Sequence, residues 1–117
     1  MQRHRGCAAE AATSYARAFL ATAASESRLR AELAGEAARA AAEAGDENAR
    51  AHYAAQAMAA DAQAVSSWLA EARELLQAAD PAGALNRATL ADAVAPAGEA
   101  AELVRQASLR QRLKPIG

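Results

Sequence analysis

One residue in three of this chain is alanine, 40 of 117 in all, and this limits the folds open to it. Alanine is the best helix former because its side chain loses no rotamer freedom when the backbone becomes helical. It adds little volume to a core, and past Met1 only 20 residues are large apolar or aromatic ones. The net charge of −1 argues against a disordered chain. The sequence therefore predicts an ordered, all-α protein with a thin core, in which alanine-lined helices approach each other closely.

Turn signals divide the chain into helical arms. Residues 8–44 have a helical pattern, although hydroxyl side chains at 22–27 can bend or restart the helix. Gly45-Asp46 joins a favourable C′ residue to a favourable N-cap, and the stretch that follows runs to Ala79 without Gly or Pro. Because so short a link makes two long helices antiparallel, the sequence predicts a long antiparallel helical hairpin.

A shorter third arm is predicted to fold against this hairpin. Asp80-Pro81 places an N-cap before a proline at the first helical position, and a second turn signal at 95–98 divides the arm before it ends near Leu113. The expected architecture is a three- or four-helix bundle with a broken third arm. We assign residues 1–7 to a flexible basic arm, 8–113 to a single Ala-rich helical bundle domain and 114–117 to a C-terminal tail.

The densest group of large side chains lies in the second half of the second arm, around the only tryptophan of the chain. Its large members follow the i, i+3, i+4, i+7 spacing of one helix face: Val65, Trp68, Leu69, Leu75 and Leu76. We expect the rest of the chain to pack around this stripe. If the bundle leaves the stripe open, it becomes the natural surface for a partner protein, because aromatic anchors dominate interface energy.

Charge is unevenly distributed along the chain. Residues 45–99 hold eight acids and three arginines, a balance of −5, whereas residues 105–114 hold four bases and no acid, a balance of +4. The four bases are Arg105, Arg110, Arg112 and Lys114. Such blocks favour self-pairing or docking on an acidic partner. The bases can instead contact phosphates of a nucleic acid, or they can simply complement the dipole of a solvated helix end.

A 14-residue segment, 45–58, resembles the second helix of a tetratricopeptide repeat. Asp46 and Asp80 also lie 34 residues apart, which is the period of that repeat. The resemblance implies a helix-turn-helix unit repeated along the chain. However, Arg50 stands where the repeat has a small residue, and no Gly or Pro ends the helix near 60–64. We therefore favour an Ala-rich hairpin over a true repeat.

Few residues are candidates for catalysis or metal binding. The only histidines are His4 and His52, and no nucleophile motif accompanies them. His4 and Cys7 fall short of the four ligands of a structural zinc site. The carboxylate pairs of the chain lack the Glu-x-x-His motifs of a di-metal bundle. We expect no enzymatic activity, no cofactor and no metal.

The sequence also bears on cellular location. Charges interrupt every window long enough to span a bilayer, and Glu10 and Arg17 interrupt the segment where a secretory signal would be uncharged. A single cysteine permits no disulfide within the chain. A cytoplasmic protein without membrane contact is therefore expected. The ratio of 12 Arg to one Lys, with the high alanine content, suggests a GC-rich bacterial genome.

These observations favour a binding protein without chemistry of its own. The expected function is that of a protein–protein interaction module, such as a regulator, an adaptor or a chaperone-like subunit. Self-association into a homodimer would complete the thin core, because burial of apolar area offsets the entropy lost on ordering. The alternative is a nucleic-acid-associated accessory protein that uses the basic termini, although the sequence pI of about 6.1 lacks the usual basic character.

Overall fold

Six α-helices make up most of residues 2–113, the part of the chain that the computed structural model describes; its side chains are described from Gly6 onward. No strand occurs within this range, so the predicted all-α class is confirmed. No helix there is long and apolar enough to cross a membrane. The helices are α1 (Gln2–Ala21), α2 (Ser27–Glu43), α3 (Glu47–Ala60), α4 (Ala64–Gln77), α5 (Pro81–Val94) and α6 (Gly98–Leu113).

Each of the two long predicted helices is divided in the structure. The hydroxyl-rich segment after α1 does restart the helix, and the Thr22 side chain bonds back to the carbonyl of Ala18 at 2.7 Å. The second division, between α3 and α4, is not predicted, since no Gly or Pro marks it. There the Asp61 carboxylate accepts a hydrogen bond from the backbone N–H of Gln63, and Asp61 itself is extended. A short polar side chain thus competes with the helix for backbone partners.

The start of the chain also differs from the prediction. Residues 2–7, predicted to form a flexible arm, have helical backbone and belong to α1. The predicted tail, 114–117, lies outside the described residues.

The turns predicted at Gly45-Asp46 and Asp80-Pro81 occur at the expected places and share one geometry. Gly45 and Ala79 both have positive φ, 79° and 63°. In each turn the next residue, Asp46 or Asp80, donates its N–H to the carbonyl five residues back and caps the following helix with its carboxylate. This is the Schellman motif followed by an Asp N-cap. The 34-residue spacing of Asp46 and Asp80 therefore corresponds to two turns of the same geometry.

Helix spacing repeats as well, but the packing does not. Helices α4, α5 and α6 each begin 17 residues after the start of the previous helix. In a solenoid each unit contacts only its neighbours, so consecutive helices would pack extensively. Here α3 and α4 barely touch, whereas α5 packs against α2, α3, α4 and α6. The hairpins α2–α3 and α4–α5 therefore have turns of the same geometry, but they do not stack as regular repeats.

Like α2, helix α5 packs against four other helices, and it is more buried than the tryptophan-bearing helix α4. Seven of its 14 residues are buried, and Leu90, at 1% exposure, is the largest fully buried side chain among the described residues. Trp68 and Phe19 pack in the same cluster as Leu90. A second cluster surrounds Leu76 and Leu103. Most other core positions are alanine, and none of the buried side chains described is polar or charged.

Gly35 is the point at which α2 meets α4 and α5. A Cβ atom at this position would lie 2.9 Å from Cη2 of Trp68 and 3.0 Å from Cδ1 of Leu90. Both distances are below an ordinary carbon–carbon contact of about 3.5–4.0 Å. The absence of a side chain at Gly35 is therefore what allows the indole and the leucine to pack against the backbone of α2.

Candidate interaction surfaces

The apolar stripe predicted to be core or partner surface lies on α4 and is mainly core. Trp68 is 3% exposed and Leu76 is also buried, so neither presents an open surface. Val65, Leu69 and Leu75 are half-buried and pack against the two core clusters. The stripe faces inward because α4 lies on α5, and its large side chains fill space that alanine cannot. A surface for a partner has to be sought elsewhere.

Some of the bases predicted at the end of α6 bond to other groups of the chain. The Arg105 guanidinium bonds to the Glu102 carboxylate one turn earlier. Arg110 Nη1 donates to the Leu76 carbonyl at 3.1 Å, near the C-terminus of α4. Arg112 is exposed in the last turn of α6. Lys114 lies outside the described residues. Two of the four predicted bases thus already bond to other groups of the chain.

Arginines reach the last carbonyls of three helices. Arg30 Nη1 donates to the carbonyls of Phe19 at 3.1 Å and Thr22 at 2.7 Å, and its guanidinium lies 4.1 Å from the centre of the Phe19 ring. Arg50 donates to the carbonyl of Ala93 near the end of α5. Together with Arg110, which reaches the end of α4, these side chains add donors to carbonyls near helix ends and complement the negative end of the helix dipole. Part of the arginine content is therefore structural.

Exposed ion pairs perturb the ionisation of two carboxylates. A hydrogen bond from Arg50 lowers the pKa of Glu47, and bonds from Arg105 and Gln106 lower that of Glu102. Both carboxylates are open to solvent, which weakens such pairs. These shifts reflect helix-surface pairing at i, i+3, and they mark no reactive centre.

Large apolar side chains are exposed as often as they are buried. Among the 19 described residues of this type (20 less Ile116), six are exposed and six are buried. The exposed six are Tyr15, Leu20, Leu29, Met58, Leu109 and Leu113. Leu109 and Leu113 are 47% and 71% exposed and lie one turn apart on α6.

Leu109 and Leu113 lie on a different face of α6 from its buried residues. The buried face of α6 carries Ala100, Leu103 and Ala107. Leu109 is two residues after Ala107, which turns it by about 200° around the helix. Leu109 therefore cannot share that face. The two-residue step from Ala107 to Leu109 is the feature of the sequence that identifies the exposed pair.

A groove lies between α2 and α5. Its volume is about 600 Å³. Small side chains at Ala42 and Ala82 leave room between the helices, and Leu85 adds a larger apolar surface. Glu43, Asp92 and Arg39 also line it, two acids against one base, and Arg39 bonds to the Asn86 carbonyl and the Thr89 hydroxyl. An apolar groove with polar groups of one dominant sign suits a ligand that offers apolar side chains and opposite charge.

The candidate catalytic and metal-binding residues are scattered. His52 is exposed on α3, with its ring 5.5 Å from that of Tyr53. Cys7 is an exposed free thiol on α1. Over the described residues, no group of three or more His, Cys, Asp or Glu side chains is placed to hold a metal ion.

Comparisons with known proteins do not assign the chain to a family. No protein-family model matches it, and neither the curated proteins nor the solved structures include a significant match.

Proposed function

We propose that this protein is a non-enzymatic interaction module that binds other proteins, and first of all a second copy of itself. The observation that carries the proposal is that six large apolar side chains are exposed and only six are buried among the described residues. Burial of apolar area is the main favourable free-energy term of folding. A protein with a thin core therefore forgoes stability when these side chains remain exposed. A partner that covers them restores that gain.

The role that follows is that of a regulator, an adaptor or a chaperone-like subunit. Such proteins act through surfaces alone, and the described surface offers grooves and apolar side chains. The proposal places the binding in a bacterial cytoplasm, where a single exposed thiol such as Cys7 stays reduced.

The mass in solution tests the proposal. Light scattering on the full chain, over a hundredfold range of concentration and at low and high salt, is expected to give the mass of a dimer, about twice 12.0 kDa. Apolar contacts persist as salt rises, so the dimer should survive at high salt. A folded monomer at the highest concentration would refute self-association.

Nucleic-acid binding has less support as an alternative. Arg105 and Arg110 already bond to Glu102 and to the Leu76 carbonyl. A phosphate contact by either would have to replace these bonds. Binding of duplex or single-stranded DNA at low salt, lost steeply as salt rises, would revive the alternative.

A further inference from the structure

We infer that the second copy is held by a reciprocal contact, in which the end of α6 of each copy enters the α2–α5 groove of the other. This inference rests on the proposed self-association and names its surface. The contact brings together Leu109, Leu113 and Arg112 of one copy with the groove around Ala42, Ala82 and Leu85 of its partner.

The end of α6 has the form of a helical ligand. Leu109 and Leu113 are spaced i, i+4, so their side chains lie side by side on one face. This face points away from Ala100, Leu103 and Ala107, which pack against the rest of the molecule. Two adjacent leucines on an otherwise polar helix end are the anchors by which a helix binds in an apolar groove.

The groove between α2 and α5 has the matching shape. Its alanines present only methyl groups, which leaves room for leucine side chains of a partner helix beside Arg39, whose guanidinium donates hydrogen bonds to the Asn86 carbonyl and the Thr89 hydroxyl of α5. Ala42 and Ala82 are exposed and Leu85 is half-buried. A helix seated there would cover the apolar surface of Leu85 and would bury Leu109 and Leu113 at the same time.

Charge selects this pairing over other apolar surfaces of the molecule. Arg39, Glu43 and Asp92 line the groove, and Arg39 pairs with Glu36, so these groups hold three acids against one base, or −2. The end of α6, residues 109–113, holds Arg110 and Arg112 and no acid, or +2. Arg112 makes no ion pair with any described residue and lies between the two leucines in the chain. Opposite charges at the rim of an interface favour the correct partner and its orientation.

The position of the groove allows the contact to be reciprocal. Gln111 of α6 lines the same groove, so the groove and the end of α6 are neighbours on one surface of the molecule. A surface that holds both the groove and the helix end can pair with a second copy about a two-fold axis. The helix end of each copy then contacts the groove of the other. The assembly then closes as a dimer and does not extend into a fibre.

Leucine variants test the contact directly. Leu109→Glu and Leu113→Glu are expected to raise the Kd of the dimer tenfold or more, by about the loss typical of an interface anchor. Leu20→Glu is the matched control, because Leu20 is 74% exposed on α1 and remote in sequence from both halves of the contact. It should remain dimeric. Circular dichroism on each variant checks that the helices are intact.

Groove variants test the other half of the contact. Ala42→Arg places a bulky cation in the groove and should also dissociate the dimer, whereas Ala51→Arg, at an exposed position on α3 outside the groove residues, should not. Reversal of charge adds a second measurement: Glu43→Arg and Arg112→Glu should each weaken the dimer a few-fold, and their combination should recover most of the loss.

The outcomes separate this inference from the proposed function. A dimer that persists in Leu109→Glu, Leu113→Glu and Ala42→Arg overturns the contact while self-association stands. Dissociation by Leu20→Glu with a stable Leu109→Glu dimer also overturns it. If the unaltered chain is monomeric at every concentration, both the contact and the proposed self-association are refuted.

Discussion

Replacement of Gly35 by alanine tests how closely α2 packs on α4 and α5. In an exposed helix this change stabilises a protein by about 0.8–1 kcal/mol, because alanine is the better helix former. At Gly35 the added Cβ would lie 2.9 Å from Trp68 Cη2 and 3.0 Å from Leu90 Cδ1. Neither neighbour can easily retreat, since Trp68 is 3% exposed and Leu90 is 1% exposed. Overpacking of this kind costs about 1–3 kcal/mol.

The balance of these effects is a net loss. With about 1 kcal/mol gained from helix propensity and about 2 kcal/mol lost to overpacking, Gly35→Ala should lower the free energy of unfolding by about 1 kcal/mol. The entropy of unfolding of a chain of this length is about 0.24 kcal/mol per kelvin, so the Tm should fall by about 4 °C. Urea unfolding followed by circular dichroism gives the free energy, and a thermal scan gives the Tm.

Gly6→Ala is the matched control, because an added Cβ at Gly6 in α1 meets no atom within 4 Å. It should leave the stability unchanged or raise it. A double-mutant cycle sharpens the test: Leu90→Ala removes one of the two clashing side chains, so Gly35→Ala should cost less in its presence. If Gly35→Ala stabilises the protein as much as helix propensity alone would, the close packing of Trp68 and Leu90 on α2 is refuted.

Three further predictions concern turns, helix ends and pH. Ala79→Gly should stabilise the chain by up to about 1 kcal/mol, because Ala79 has φ 63°, which strains any residue with a Cβ; Gly45→Ala, at the equivalent turn, should destabilise it by a similar amount in urea unfolding. Arg30→Ala should cost about 1–3 kcal/mol, since it removes two hydrogen bonds to carbonyls and the contact with the Phe19 ring; an unchanged Tm would contradict this. Arg50 lowers the pKa of Glu47 below 4.5, so the stability from this pair is present above that pH and is lost as pH falls through the folded-state pKa. The Tm of Glu47→Gln should therefore fall less steeply below pH 4.5 than that of the unaltered chain, and equal slopes would exclude the pair as a contributor.

Local chemistry made the helices and most turns predictable from the sequence. Alanine favours helix wherever it occurs, so the all-α class follows from composition. The turns at Gly45-Asp46 and Asp80-Pro81 follow from positive φ and from a carboxylate that caps the next helix, and both depend on residues within one turn of each other. The break at Asp61 is equally local, but its signal is weak, because an aspartate without Gly or Pro often lies within a helix.

The candidate surfaces were only partly predictable. Large side chains on α4 are recognisable as a stripe from their spacing, yet nothing local tells whether Trp68 is covered. The structure covers it with α2, at Gly35. The bases of α6 were recognisable as a charged segment, but the acceptor of Arg110 is a carbonyl 34 residues away, which no pattern within α6 reveals.

Secondary structure is thus determined by the sequence, whereas the order of packing is decided only in the tertiary structure. The reason is that alanine is accepted both in a core and in solvent, so its periodicity does not distinguish the two. Ala84, Ala88 and Ala91 of α5 are fully buried, while Ala51 and Ala55 of α3 are exposed. Helix α5, like α2, packs against four other helices because its small side chains let them approach, and this depends on all of them at once.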